Sequence, residues 1–435
     1  METATMSSSI AAFARRAAAL ALVLPLSLSC WGDFVDDESV GPLGAPSGGA
    51  VFTRYVALGT SLAAGVQSAG LSDSLQRRTY VALLAQAMGH SLGGTFKYPS
   101  LTMPGCPPPL TNVLTGARVT PTGFPTSTGS TCYVRSPASV SPVMHNLGIP
   151  GLRAYHVLDV AGVEFAPTDT LKATQFVTGG HNPIDRMDAA RPTFVTLEVG
   201  ANDVLGAATR GDATLLTDTA DFRATFDEIV LRVLGTGARV AVANVPNVTV
   251  IPHFALGRMF YILKFVAPTP PFNDADFTVD ASCAPGTPTG DSTAFPFVTI
   301  ATIAGALSPP ANSTAEVNCA AGTATITPLL TPAGPVIDQA EFRAITENIA
   351  AINAVIADRA GARGWALVDL NGLLATAAAQ GRIPAFPNLA APTSTIFGTL
   401  FSLDGIHPSN AGYREMAQAF SAAINATYGT SLVVQ

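Results

Sequence analysis

The chain has 435 residues, is 48% hydrophobic, is only 12% charged and carries a net charge of -7. That length allows up to three domains, or one large α/β domain with insertions. Its only lysines are Lys97, Lys172 and Lys264, and the absence of a basic stripe argues against nucleic acid as a partner.

At the N-terminus, Arg15 and Arg16 precede an apolar run over residues 17–28, followed by Ser29 and Cys30. The run is too short for a stable membrane anchor and reads as an export signal over residues 1–29. A cysteine directly after it resembles the lipobox of bacterial lipoproteins, with Cys30 as the lipidated residue; the alternative is ordinary cleavage near Ser29. Residues 30–50 are rich in Gly and Pro and acidic, as expected of a flexible tether. The expected location is the cell envelope, with a lipid anchor at Cys30 holding the protein to the membrane, or otherwise the periplasm or exterior.

The folded part is expected over residues 51–430. Tyr55 to Leu58 is a short apolar run closed by Gly59, which reads as a buried strand. The glycine permits a sharp turn that would lift Ser61 out of the sheet. Residues 74–88 carry Leu75, Tyr80, Leu83, Leu84 and Ala87 at helical spacing and predict one amphipathic helix. Next comes Gly89-His-Ser-Leu-Gly93, a literal G-x-S-x-G. A nucleophile elbow must follow a strand and open a helix; here the motif follows a helix and leads into prolines, so Gly89 reads as a helix cap and Ser91 as loop.

Two stretches are too long for ordinary connections. The first, about residues 94–142, holds Cys106 and Cys132. The second, about residues 252–337, holds Cys283, Cys319 and seven phenylalanines from Phe254 to Phe297. That aromatic set reads either as a small core packed for its own sake, the favoured reading, or as an apolar lid or acyl-chain wall. With Cys30 set aside, four cysteines allow three pairings. Nearest neighbours, Cys106–Cys132 and Cys283–Cys319, are expected to pair, each loop closure restricting the unfolded chain by roughly 3 kcal/mol. No cysteine or histidine spacing suggests a metal, and no cofactor is expected.

Between the insertions, strands are predicted over residues 143–147, 192–200 and 238–245, with a fifth over 365–370. Helices are predicted over 152–160, 221–234, from Asp338 to about 360, and over 373–380 and 409–428. Such alternation argues for a parallel sheet with helices on both faces. Asp338-x-x-Glu341 reads as a capping box.

A serine just past the first strand lies where open parallel sheets put their ligands. Its hydroxyl needs a base within hydrogen-bond reach. Of six histidines, only His407 has a carboxylate, Asp404, three residues before it in a turn leading into a helix. Such a carboxylate can accept from Nδ1–H and leave Nε2 free for the serine proton. Asp404 as a simple helix cap and Asn202 as a turn residue are the plain structural alternatives.

Ser61, Gly151, the run Val199-Gly-Ala-Asn-Asp203 and Asp404-Gly-Ile-His-Pro408 together resemble the ordered blocks of the SGNH (GDSL-like) hydrolases. The chain departs from that pattern at Thr60, where aspartate is usual. The resemblance implies a flavodoxin-like three-layer sandwich with a five-stranded parallel sheet and helices on both faces; the two long disulfide-bearing insertions fall outside it. It implies Ser61, Asp404 and His407 as catalytic residues, with the Ser61 N–H, the Gly151 N–H (Gly148 being the alternative) and the Asn202 amide as an oxyanion hole. The expected activity is hydrolysis of a small-molecule or lipid carboxylic ester, an acyl or lipid ester being favoured. The competing expectations are a membrane-tethered binding protein without catalysis and an acyltransferase.

Overall fold

The computed structural model describes residues 49–435 apart from 103, 121–140, 142, 161–167, 310–312 and 329–330. The export segment, Cys30, the tether up to residue 48 and Cys132 lie outside the described residues. Among the described residues no helix is long and apolar enough to cross a membrane.

Five short strands form the central sheet. These are β1 (Tyr55–Gly59), β2 (Asn146–Gly148), β3 (Phe194–Leu197), β4 (Arg239–Ala243) and β5 (Ala366–Val368). Their spatial order is β5-β4-β3-β1-β2, and every neighbouring pair is parallel. This is the flavodoxin-like order 2-1-3-4-5, whose strand sequence reverses at β1. Every residue of β1 is buried, as expected for a sheet covered on both sides.

Period-two alternation divides those residues between two cores. Tyr55 and Ala57 pack with Phe194, Ala241 and Ala366 on one face. Val56 and Leu58 pack with Val195, Leu197, Val240 and Val242 on the other. Ser61–Ala64 forms a single helical turn, α1, and Tyr80–Ala87 forms α2. The second face is covered by α3 (Ala201–Arg210), α4 (Thr219–Gly235) and α5 (Gln339–Gly361). After β5 come α6 (Leu370–Ala379) and α7 (Asn410–Tyr428). Helices α2 and α7 cover the first face, with Tyr80 stacked on Phe420 at 4.7 Å between ring centroids.

Asp338 and Glu341 form the expected capping box of α5. The single helix expected over 74–88 is instead two, Asp73–Gln76 and α2. Thr79 is extended, and its hydroxyl accepts from the Ala82 N–H at 2.9 Å. A side-chain acceptor at that point starts a new helix and ends the old one.

The described parts of the second insertion build a satellite core. Phe260, Phe272, Phe277 and Phe295 pack edge to face around the Cys283–Cys319 disulfide. Phe254 joins the main core and Phe297 a small cluster with Phe397, while Phe265 is 53% exposed. The rings largely satisfy one another, which is the inward packing favoured from sequence.

Candidate functional site

The site is assembled at the carboxyl end of β1. Gly59 ends that strand, and no positive φ is involved. A Cβ at Gly59 would lie 2.6 Å from the Ala63 Cβ and 3.0 Å from a Glu198 oxygen, so close approach is what demands glycine. Thr60 and then Ser61 follow, and Ser61 opens α1. Ser91, by contrast, sits in a loop after α2, where its hydroxyl accepts from the Thr95 N–H at 3.2 Å. Gly89, with φ of 87°, ends that helix as expected.

Ser61 and His407 are 346 positions apart, yet Ser61 Oγ lies 2.9 Å from His407 Nε2. His407 Nδ1 lies 2.9 Å from Asp404 Oδ2. The turn 404–407 is organised by the carboxylate itself, for Asp404 Oδ1 accepts from the N–H groups of Ile406 at 2.9 Å and His407 at 2.8 Å. Asp404 does not cap α7; Ser409 does.

A second support comes from the other end of the chain. Gln67 to Gly70 is a tight turn closed by two backbone bonds of 3.0 Å, with φ of 52° at Ser68 and 48° at Ala69. Positive φ at both central positions is a type I′ turn, which normally carries Asn and Gly. Side-chain-bearing residues there cost of order 1–3 kcal/mol each. What the geometry gains is aim: the Ala69 N–H donates to Asp404 Oδ2 at 2.6 Å and the Ser68 N–H to Ser402 Oγ at 2.8 Å. Burial alone would raise the Asp404 carboxyl, but His407 and the Ala69 N–H outweigh it and hold the carboxyl well below the usual range. The first insertion clasps the same turn, with the Leu110 N–H on the Ser68 carbonyl at 2.8 Å and Arg118 on the Ala69 carbonyl at 2.9 Å.

The oxyanion candidates stand past three strand ends: Ser61 past β1, Gly151 past β2 and Asn202 past β3, the last two being the strands that flank β1. Gly148 is occupied: its N–H donates to Asn146 Oδ1 at 2.9 Å, and a Cβ there would meet the Ala64 nitrogen at 2.4 Å. Gly151 follows in the next turn with φ of 79°. Asn202 lies in the first turn of α3, and its Nδ2 donates to the Leu152 carbonyl at 2.9 Å. That bond uses one of two amide hydrogens and ties the Asn202 side chain to the residue after Gly151. Asp203, buried beside it, accepts from the Ala154 N–H at 3.0 Å and from the Thr217 hydroxyl at 2.8 Å.

Glu198 is a residue that sequence reasoning passed over. It follows β3, is 4% exposed, and accepts from the Thr60 N–H and the Thr60 hydroxyl, each at 3.0 Å. Thr60 thus offers the donors and Glu198, from the neighbouring strand, supplies the acceptor oxygens. The signal was present as an acidic residue inside an otherwise apolar strand-like run, at a place where burial costs several kcal/mol unless the charge is bonded.

No family model matches the chain, and no curated protein matches it. Among solved structures, an acetyl xylan esterase aligns over 64% of this chain and 78% of its own, at 13% identity and a TM-score of 0.28. So slight a likeness says nothing about activity.

The site's electrostatics are measurable through stability. Burial pushes the Glu198 carboxyl up to about 7, against the pull of the Thr60 and Ala63 donors. Between the ordinary glutamate range and that value, the folded protein holds a proton that the unfolded chain has lost. Stability therefore falls as pH rises through this window, and the cost is complete above pH 7. The effect is about 3 kcal/mol. Glu198→Gln should remove it, so that unfolding in denaturant at pH 5 and pH 8 differs less in the variant than in the parent by that amount. An equal pH dependence in both would show that Glu198 does not titrate in this window.

Proposed function

We propose that the protein is a serine hydrolase that cleaves carboxylic esters through an acyl-Ser61 intermediate. The observation that carries this reading is the unbroken Ser61–His407–Asp404 hydrogen-bond chain at the rim of a parallel sheet. His407 Nε2 accepts the Ser61 proton as Oγ attacks the ester carbonyl carbon. Asp404 accepts from Nδ1–H, fixing the tautomer and stabilising the imidazolium that forms. The tetrahedral oxyanion is met by the N–H groups of Ser61 and Gly151 and by the second amide hydrogen of Asn202. On collapse, the carbon–oxygen bond to the alcohol breaks and the alcohol leaves with the proton from His407. Water, deprotonated by His407, then releases the acid and restores Ser61. We further propose that residues 1–29 export the protein and that Cys30 tethers it to the cell envelope; the Cys283–Cys319 bridge suits an oxidising compartment.

A fluorophosphonate probe tests the assignment, since it labels only an activated serine. Labelling at Ser61, found by peptide mapping, is expected; a folded protein that stays unlabelled would instead be a binding protein on this fold. Asn202→Ala should lower kcat by roughly 10² to 10³ with a smaller change in KM. An unchanged kcat would remove Asn202 from the oxyanion hole.

A further inference from the structure

Helix α6 begins at Leu370, with the Asp369 carboxylate accepting from the Gly372 N–H at 2.8 Å. Its residues Leu370, Leu373, Leu374 and Ala377 fall at i, i+3, i+4 and i+7, one continuous apolar stripe. Leu370, Leu374 and Ala377 are buried and Leu373 half-buried, and the stripe forms one wall of a cavity of about 100 Å³ whose lining is almost wholly apolar. Met416 of α7 and Ile251, just beyond β4, supply further walls. Two further lining residues are chain neighbours of the reacting groups. Leu62 follows Ser61 in the chain and Ile406 precedes His407, and both line the cavity. Leu62, Ile406, Ser61 and His407 are all half-buried, and the lining reaches the chain neighbours of Ser61 and His407 without including those two residues themselves.

We infer that this cavity receives the acyl chain of the substrate, and that the substrate is an ester of a short fatty acid. The inference rests on the hydrolase reading and adds the substrate class to it. An ester carbonyl held at Ser61 directs its acyl tail along Leu62 and Ile406 into a space whose one charged lining residue, Glu415, is paired with Arg382. The size sets the length: a cavity of roughly 150 Å³ takes a benzene ring, so this one takes a tail of about three or four carbons beyond the carbonyl. Acetate leaves the space unfilled, and long-chain acids exceed it. The acyl wall is therefore the α6 stripe, whereas the phenylalanines of the second insertion mostly pack against one another.

The test is a p-nitrophenyl ester series from acetate to dodecanoate, with fluorophosphonate labelling alongside. kcat/KM should rise roughly fourfold with each added methylene, peak at butanoate or pentanoate, and fall beyond. Leu373→Trp, at a half-buried position on the cavity wall, should lower the butanoate-to-acetate ratio about tenfold; Leu374→Ala should move the peak to longer acids. A profile that is flat, highest at acetate or still rising at dodecanoate overturns the inference, as does a peak unmoved in both variants. If Ser61 is labelled and the profile is any of these, only the cavity assignment falls. Without labelling of Ser61 in the parent protein, both readings fall.

Discussion

Ser61→Ala should abolish ester hydrolysis while leaving the fold intact, with kcat falling by roughly 10⁶. The two halves of that expectation have separate causes. Ser61 Oγ is bonded to His407 Nε2 at 2.9 Å, and removing it takes away the atom that would form the acyl bond. The fold does not depend on it, because Ser61 opens a single helical turn whose position is set by neighbours. Those neighbours are Gly59 in close approach, Thr60 bonded to Glu198, and Asn146 Nδ2 donating to the Ala63 carbonyl at 2.9 Å. The circular dichroism and melting temperature of the variant should match the parent's, and activity on p-nitrophenyl butanoate should fall to background. Turnover within tenfold of the parent, in a folded variant, would refute Ser61 as nucleophile.

Asp404→Asn should cost roughly 10⁴ in kcat, and it differs from a plain deletion. The asparagine oxygen can keep the Ile406 and His407 backbone donors now on Oδ1. Its amide nitrogen then takes the place of Oδ2, facing the Ala69 N–H and His407 Nδ1. Donor meets donor at the first contact, and at the second the imidazole must present a bare Nδ1, which puts its proton on Nε2. A histidine so protonated cannot accept from Ser61. The loss should appear in kcat more than in KM, and fluorophosphonate labelling should slow in parallel. A variant that labels at the parental rate would show that Asp404 only shapes the turn. Asp404→Ala separates the two contributions, since it removes the backbone contacts as well and should cost more stability than Asp404→Asn.

Much of the architecture was legible in one dimension because its signals are local. Apolar runs ended by glycine marked the strands, helical spacing marked the helices between them, and their alternation required a parallel sheet. The five-stranded parallel sheet came out as expected, although every strand after the first is shorter than the run that announced it. The capping box at Asp338 and the cap at Gly89 were readable for the same reason, each being a contact within a few residues. The Cys283–Cys319 pairing was also expected, as nearest neighbours in the chain. The break before Thr79 was missed, since apolar periodicity continues through it while one hydroxyl redirects the backbone.

Chemistry-bearing residues could be named one by one, but whether they meet is a long-range property. Ser61 and His407 come together through a sheet, a turn at Ser68–Ala69 and an insertion that clasps that turn, none of which a short window contains. The pairing of Thr60 with Glu198 has the same character: each looks like a weak feature alone, and only parallel pairing of β1 with β3 makes them one hydrogen-bonded unit. The phenylalanines show the converse. Composition could supply a large apolar surface in the second insertion but not its direction, and packing turned most of it inward. A cavity is space left among side chains from distant segments, so only the tertiary structure decided where one would open and that α6, not the insertion, would line it.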